Sequence, residues 1–384
     1  MAEVRVRELY KNFGKVIAID HINLTVKDTE FVCLLGPSGC GKTTTLRCIA
    51  GLEIPTSGEI RIADRVVTYA QPKDRNIGMV FERYALYPHL TVFDNLAYPL
   101  RVRKQSREAI KKRVREVANM LEMLPLLDRY PRQLSGGQMQ RVGIGRAIVR
   151  EASVYLMDEP ISHLDAKLRA HMRGELKRLQ RVIKSTTIYV THDQLEAMSM
   201  ADRIAVLKEG VIQQYASPDD IFDIPSNRFV ANFVGEPSMN FIECTLKESD
   251  TKASLKAKSF EISVPREWVK GSKAWGKGES LILGIRPEHI RMRARGEAKE
   301  ARDLISGEVW VYQPLGSEDI FDIKLAGEEI IKVRTPAEQS RYVAHEMGKK
   351  TLLEFDKERM YLFDRATGET LAQAQFTQNK NKGE

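Results

Sequence analysis

Cysteine is scarce in this sequence of 384 residues, with four thiols at Cys33, Cys40, Cys48 and Cys244. They form neither a C-x-x-C pair nor a disulfide framework, which excludes a stapled mini-protein and fits a reducing compartment. Long apolar runs are missing as well. No uncharged stretch approaches the roughly 18 residues needed to cross a bilayer, and Met1 to Arg5 begins a strand-like alternation instead of a signal sequence. The chain is therefore expected to be neither an integral membrane protein nor a secreted one. Nor is there a uniform basic coat, although the net charge is +8 and the pI about 9.1. From Arg101 to Glu116 there are eight basic and two acidic residues, and from Lys167 to Lys184 seven and one. These stretches each net +6, which leaves −4 for the rest of the chain. Charge so placed is compatible with nucleic acid, an anionic membrane surface or a phosphorylated small molecule. The hydrophobic share of 42% and charged share of 29% are those of a globular protein, and the length predicts two or three domains.

Short apolar runs without polar alternation recur at Phe31–Leu35, Ile77–Phe81, Val154–Met157 and Thr187–Val190. Such runs predict strands covered on both faces, as in a parallel sheet. Between them lie helical periods, Ile110, Val114, Val117, Leu121 and then Leu168, Met172, Leu176, Leu179, Ile183. Alternating strands and helices predict an α/β domain over residues 1–235. Near Gly235 the pattern changes to short, often alternating strands such as Gly307–Val311 and Ile320–Lys324. Glycines at 271, 276, 278, 284, 316 and 327 read as turns between them, which predicts a small all-β domain over 236–372. The polar tail 373–384 is expected to fray.

Gly36-Pro37-Ser38-Gly39-Cys40-Gly41-Lys42-Thr43 fits GxxxxGK[ST], follows the predicted strand Phe31–Leu35 and precedes the helical Thr44–Ile49. Only a strand, loop and helix in that order aim successive backbone N–H groups and a helix N-terminus at one anion. Gly36, Gly39 and Gly41 let the backbone wrap phosphates, Lys42 brings a point charge to them, and the Thr43 hydroxyl suits Mg²⁺. Cys40 occupies a variable position of the loop. Downstream, the run ending at Met157 meets Asp158-Glu159, two carboxylates at the nucleotide edge of the sheet. Asp158 is suited to the Mg²⁺ shell and Glu159 to polarising an attacking water as general base.

Leu134-Ser135-Gly136-Gly137-Gln138-Met139-Gln140-Arg141 resembles the signature of ATP-binding cassette ATPases. The family's other elements follow in order: Phe13-Gly14, the phosphate loop, the segment after Phe81, Asp158-Glu159-Pro160, Ser162-His163-Leu164-Asp165 and Thr191-His192-Asp193. Pro225–Ala231, Gly284–His289 and Leu315–Glu318 resemble the carbohydrate-import subfamily, the maltose-importer ATPases with a C-terminal oligonucleotide-binding-like TOBE domain. The resemblance implies a P-loop NTPase with a RecA-like core, a helical subdomain at about 88–150 and an all-β regulatory domain.

It also implies roles for single residues. Phe13 stacks on adenine, and Gly36 to Thr44 hold the ATP phosphates. Ser135, Gly136, Gly137 and Gln138 close on the γ-phosphate bound by an opposite subunit, with Asp165 crossing that interface. His192 contacts the γ-phosphate beside Glu159. With one loop and one signature, a complete site needs a second cassette, in a homodimer or a heterodimer. The resemblance further implies a peripheral place on the cytoplasmic face of the membrane, a permease met near Arg83–Leu90 with Tyr84, Tyr87 and His89 exposed, and, indirectly, a periplasmic or extracellular substrate-binding protein.

Three departures stand out. Glu82 occupies a position where the family has glutamine; it keeps an acceptor for Mg²⁺ but adds charge beside the γ-phosphate, which is expected to slow hydrolysis. Gly143 and Gly145 replace alanines, at up to about 1 kcal/mol each to the helix unless neighbouring elements pack tightly there. His163 is unusual in its loop. A soluble cassette of translation or DNA repair is not expected, since the interval from Lys42 to Leu134 holds no long insert, and a GTPase would need an NKxD motif. No nucleic-acid partner follows, and the two basic stretches read mainly as solvated helix faces. Polyamine, sulfate and iron importers remain the alternatives to a sugar importer.

Overall fold

The computed structural model describes residues 2–82, 84–248, 253–264, 280–293, 303–340 and 347–373. Arg83, Gly271, Gly276, Gly278 and residues 374–384 of the expected tail lie outside the described residues. Two compact units divide between Pro218 and Asp219.

In the first unit, β1 (Val4–Phe13) and β2 (Val16–Val26) form an antiparallel hairpin, and β3 (Phe31–Leu35) runs through a loop into α1 (Lys42–Ala50). β4 (Ser57–Ile62) and β5 (Arg65–Val66) return to the hairpin, giving an antiparallel sheet ordered β2-β1-β4-β5. β6 (Ile77–Val80) is followed by three helices, α2 (Val92–Val102), α3 (Arg107–Met120) and α4 (Gly136–Ile148). Thr91, Ser106 and Ser135 cap them by accepting from the N–H three residues on, which fixes where each helix starts.

β7 (Val154–Asp158), α5 (Ala166–Ile183), β8 (Thr186–Thr191), α6 (Gln194–Met200), β9 (Arg203–Lys208) and β10 (Val211–Ala216) complete the unit. Their sheet is ordered β10-β9-β3-β8-β7-β6, parallel throughout except for the β9–β10 pair. β3, β7 and β8 are buried at every residue, as their apolar or β-branched runs require, with Asp158 at the end of β7 the one buried carboxylate among them. Val32, Leu34, Leu46, Ile49, Ile188 and Leu207 share one core with Val4, Leu9 and Ile60 of the antiparallel sheet. The carboxyl ends of β3, β7 and β8 therefore release their loops side by side, the usual place for a ligand in such a sheet.

The second unit begins inside α7 (Pro218–Asp223), whose first residue still belongs to the first unit, and continues with a second short helix, α8 (Arg228–Phe233). Eleven strands follow among the described residues: β11 (Asn240–Glu248), β12 (Ala253–Ala257), β13 (Glu261–Val264), β14 (Ser280–Ile285), β15 (Ile290–Arg293), β16 (Ile305–Pro314), β17 (Glu318–Leu325), β18 (Ile330–Pro336), β19 (Lys350–Phe355), β20 (Met360–Asp364) and β21 (Thr370–Gln373). They form two antiparallel sheets, β13-β12-β11-β14-β20-β21 and β15-β19-β16-β17-β18, over one core containing Leu255, Leu283, Phe321 and Leu353. Buried Arg286 ties the helices to this core, donating to Val234 O at 2.7 Å and Phe222 O at 2.6 Å. Gly284, expected in a turn, sits inside β14. A Cβ there would meet Phe363 Cε2 at 2.6 Å, so the glycine serves close packing instead of chain reversal.

Candidate functional site: a phosphate loop beside two carboxylate–histidine pairs

The loop between β3 and α1 is shaped by two close approaches. Gly41 holds φ at 101°, and a Cβ on it would lie 2.3 Å from Ala18 O, while one on Gly36 would lie 2.4 Å from Leu207 O. Larger residues are excluded at both positions, and Pro37, Ser38 and Gly39 arch outward exposed between them. Lys42 is 5% exposed, with Nζ donating to Gly36 O at 2.8 Å and Pro37 O at 2.9 Å across the arch. Its ammonium is thus fixed under the loop at the positive end of α1. Thr44 follows in the first turn of α1. Cys40 is buried, its Sγ 3.8 Å from Lys42 Nζ, and burial pushes its thiol pKa up.

At the end of β7, Asp158 Oδ1 accepts from the Thr43 hydroxyl at 2.9 Å. Burial raises the Asp158 pKa above the ordinary carboxylate value; the Thr43 hydrogen bond opposes this, and Glu159 and Glu82 add repulsion. Glu159 takes φ = 43° and so turns off the strand, with its N–H on Val190 O at 3.0 Å. One of its carboxylate oxygens lies 2.9 Å from His192 Nδ1. Glu82, half exposed, meets a second imidazole, His163 Nε2 to Glu82 Oε1 at 3.3 Å. Three carboxylates therefore gather beyond the loop, two of them each carrying a histidine.

The remaining expected site residues stand apart in the single chain. Phe13 is 49% exposed at the end of β1, with Lys11 Nζ 4.6 Å above its ring. Ser135 and Gln138 bind each other in a capping box: Gln138 N donates to Ser135 Oγ at 3.4 Å and Ser135 N to Gln138 Oε1 at 3.0 Å. A Cβ on Gly137 would meet Leu168 Cδ2 at 2.6 Å, so the start of α4 lies hard against that of α5. Gly136 faces Tyr84 Oη and Leu164 at 3.6 and 3.8 Å on the same measure. Asp165 caps α5 through Leu168 N at 2.9 Å. Among the described residues none of these groups hydrogen-bonds the phosphate loop.

Tyr84 and Tyr87 are half-buried, not exposed as expected; only His89 is exposed. The Tyr87 ring packs on Tyr98 at 4.8 Å and lies under Arg146 at 4.6 Å, while Asn95 clamps its backbone through both N–H and C=O. Arg75, Arg169 and Glu196 were not legible as site-supporting groups. Arg75 is 3% exposed and donates to Cys48 O, Ile49 O, Thr68 O and Ala70 O, closing the far end of α1. Glu196 lies behind the His192 segment, accepting from Tyr189 Oη at 2.8 Å and Thr191 Oγ1 at 2.7 Å, and burial raises its pKa. A lone arginine or glutamate, in a loop as at Arg75 or in a helix as at Arg169 and Glu196, gives no periodic signal of this kind.

The ABC transporter family model matches residues 19–162, the MalK OB fold domain 235–290 and the TOBE domain 283–363. The chain is 47% identical to the trehalose/maltose import ATP-binding protein MalK of Thermococcus litoralis, over 97% of this chain and 100% of that one. It is 43% identical to the sn-glycerol-3-phosphate import ATP-binding protein UgpC of Cereibacter sphaeroides, over 97% and 100%. Among solved structures, the ATP-binding cassette MJ0796, a dimer in a post-hydrolysis state bound to ADP and Pi, superposes with a TM-score of 0.51 and 33% identity. That match covers 56% of this chain and 98% of the other. No helix among the described residues is long and apolar enough to cross a membrane. With a phosphate loop, a signature helix and OB and TOBE strands in one chain, the protein belongs to the ABC transporter family, as an ATP-hydrolysing import subunit.

Proposed function

We propose that the chain binds ATP with Mg²⁺ and, paired head to tail with a second cassette of the same or a different sequence, powers uptake of a sugar, polyol or related carbohydrate through a membrane permease. The observation that carries this reading is the convergence of Lys42, Thr43, Asp158, Glu159 and His192 at one edge of the parallel sheet. The names of the sugar- and glycerol-phosphate-importing relatives support the substrate class.

Thr43, Asp158 and Glu82 offer hydroxyl and carboxylate oxygens, the donor type Mg²⁺ takes. Asp158, buried and repelled by its neighbours, is a carboxylate that a cation would relieve. Held by Thr43, Asp158 and Glu82, Mg²⁺ would neutralise phosphate charge.

Lys42 and the N–H groups from Gly36 to Thr44 hold the phosphates, and Phe13 offers a face for adenine. Glu159 accepts a proton from the attacking water, on the carboxylate oxygen that His192 does not occupy. When both of its nitrogens are protonated, His192 donates to Glu159 through Nδ1 and to the terminal phosphate through Nε2. Ser135, Gly136, Gly137, Gln138 and Asp165 act across the interface with the second cassette. The permease is met near residues 83–90 and receives solute from a separate binding protein, which places the chain at the cytoplasmic face of the membrane.

The test is reconstitution of the full chain with candidate permeases and binding proteins from the same source, followed by uptake of labelled sugars and polyols. ATP-dependent uptake is expected, with hydrolysis reduced at least about 100-fold by Glu159→Gln. Uptake of a polyamine, sulfate or iron in place of every carbohydrate would overturn the substrate assignment.

A further inference from the structure

Arg169 lies one turn into α5, with its own N–H on Asp165 O at 2.8 Å. Its guanidinium forks in two directions. Nη2 donates to Ser162 O at 3.1 Å and Leu164 O at 3.0 Å, in the segment that ends at Asp165. Nη1 donates to Asp193 Oδ2 at 3.3 Å, in the segment that carries His192. The pair is shielded, with side chains 29% and 19% exposed, and Arg169 Nε is buried without a partner. That orphaned donor is an unfavourable placement which the three other bonds must outweigh.

Both ends of this bridge are themselves anchored. Asp193 Oδ1 caps α6, accepting from Leu195 N at 2.8 Å and Glu196 N at 3.2 Å, so each of its carboxylate oxygens has a separate task. Asp193 N donates to Thr191 Oγ1 at 3.0 Å, and Thr191 in turn donates to Glu196. His192 is thus an exposed side chain on a pinned backbone. On the other side, Ser162 Oγ donates to Glu159 O at 3.0 Å. The two segments meet once through Glu159 and His192 and a second time through Arg169 and Asp193.

We infer that Arg169 is a positioning residue: it fixes the segment Ser162–Asp165 to the segment Thr191–Asp193, so that docking of a second chain against Asp165 sets the placement of His192. The inference rests on the proposed dimeric ATPase. A planar fork can reach three acceptors in two loops at once, whereas a lysine ammonium on a single stem satisfies one loop at a time.

The experiment compares Arg169→Ala, Arg169→Lys, Asp193→Asn and the Arg169→Ala/Asp193→Asn double variant with the unaltered full chain. Steady-state hydrolysis is followed over a range of ATP concentrations, and binding of MgATP to the chain is measured by calorimetric titration. Asn keeps the α6 cap, so Asp193→Asn isolates the bridge from folding. Each single variant is expected to lower kcat about tenfold and to move the Hill coefficient for ATP from about 2 toward 1, with MgATP affinity within about twofold. The double variant should be no slower than either single one, because both remove the same link. Lysine should restore part of kcat. The inference is overturned if the single variants keep kcat and the Hill coefficient within twofold, if their effects multiply in the double variant, or if the loss follows MgATP affinity. Absence of ATP hydrolysis in the unaltered chain would instead count against the proposed function.

Discussion

His163 Nε2 stands 3.3 Å from Glu82 Oε1, so the two side chains that depart from the family pattern around the nucleotide edge touch each other. A carboxylate at position 82 adds negative charge beside Asp158 and Glu159, and an imidazole partner offsets part of it when protonated. Glu82→Gln is expected to raise MgATP hydrolysis roughly fivefold, the rate equivalent of about 1 kcal/mol of relieved repulsion. The gain should be larger in a His163→Ala background, where the imidazole no longer shares the charge. Hydrolysis rates titrated with Mg²⁺ in the two pairs of variants measure both effects. An unchanged rate and Mg²⁺ dependence would show that the carboxylate is harmless.

Two helix glycines predict opposite outcomes from the same substitution. Gly174 in α5 has open space where a Cβ would sit, so Gly174→Ala is expected to stabilise the chain by up to about 1 kcal/mol through helix propensity. A Cβ on Gly145 in α4 would meet Leu96 Cδ2 at 2.6 Å and Leu121 Cδ1 at 3.2 Å. Gly145→Ala should therefore destabilise by about 1–3 kcal/mol despite the better propensity. Urea unfolding midpoints of the two variants give the comparison.

Asp158 carries a pH signature. Because burial raises its pKa in the folded chain, the native state holds the proton more firmly than the unfolded one, and stability falls as pH climbs through that window. In the nucleotide-free protein, Asp158→Asn is expected to be more stable than the unaltered chain at neutral pH. The difference should shrink as pH is lowered toward the ordinary aspartate range. With excess MgATP the order should reverse, since the variant loses the ionised oxygen. Unfolding midpoints at a series of pH values, with and without nucleotide, test all three statements.

Arg75 closes the carboxyl end of α1 by donating to Cys48 O and Ile49 O at 2.8 and 2.9 Å. Arg75→Met keeps most of the stem but leaves these carbonyls and those of Thr68 and Ala70 without the guanidinium, which should cost about 3 kcal/mol. The same helix offers its amino end to the phosphates. Thermal unfolding and MgATP titration should therefore both register the change.

The strand ends that carry the phosphate loop, Asp158, Glu159 and His192 were legible because the apolar or β-branched runs of β3, β7 and β8 stop there, and such runs are hard to misread. Arg101 to Glu116 behaves as the solvated face its composition suggests, except that half-buried Arg113 turns inward to Val149 O and Ile148 O. Arg169 shows the opposite. Counted among the basic residues of the stretch 167–184, it reads as surface charge, yet its guanidinium bridges two loops distant in sequence. Such a role depends on which carbonyls the fold brings within reach, and no local pattern records that. Tyr87 misleads for the same reason: its neighbours Asn95, Tyr98 and Arg146 come from two different helices.

The capping box at the start of α4 bears on how a two-chain assembly would come apart. Ser135 and Gln138 already satisfy each other in the isolated chain, so the amides of these two residues have partners without a phosphate. A nucleotide gripped from the opposite chain would displace one internal ligand of that helix end by another. Once the bond to the terminal phosphate is cut, the capping box can close again, so separation returns Ser135 and Gln138 to partners within their own chain. In such an assembly the signature helix would work as a reversible clasp whose open state is partly capped from within its own chain.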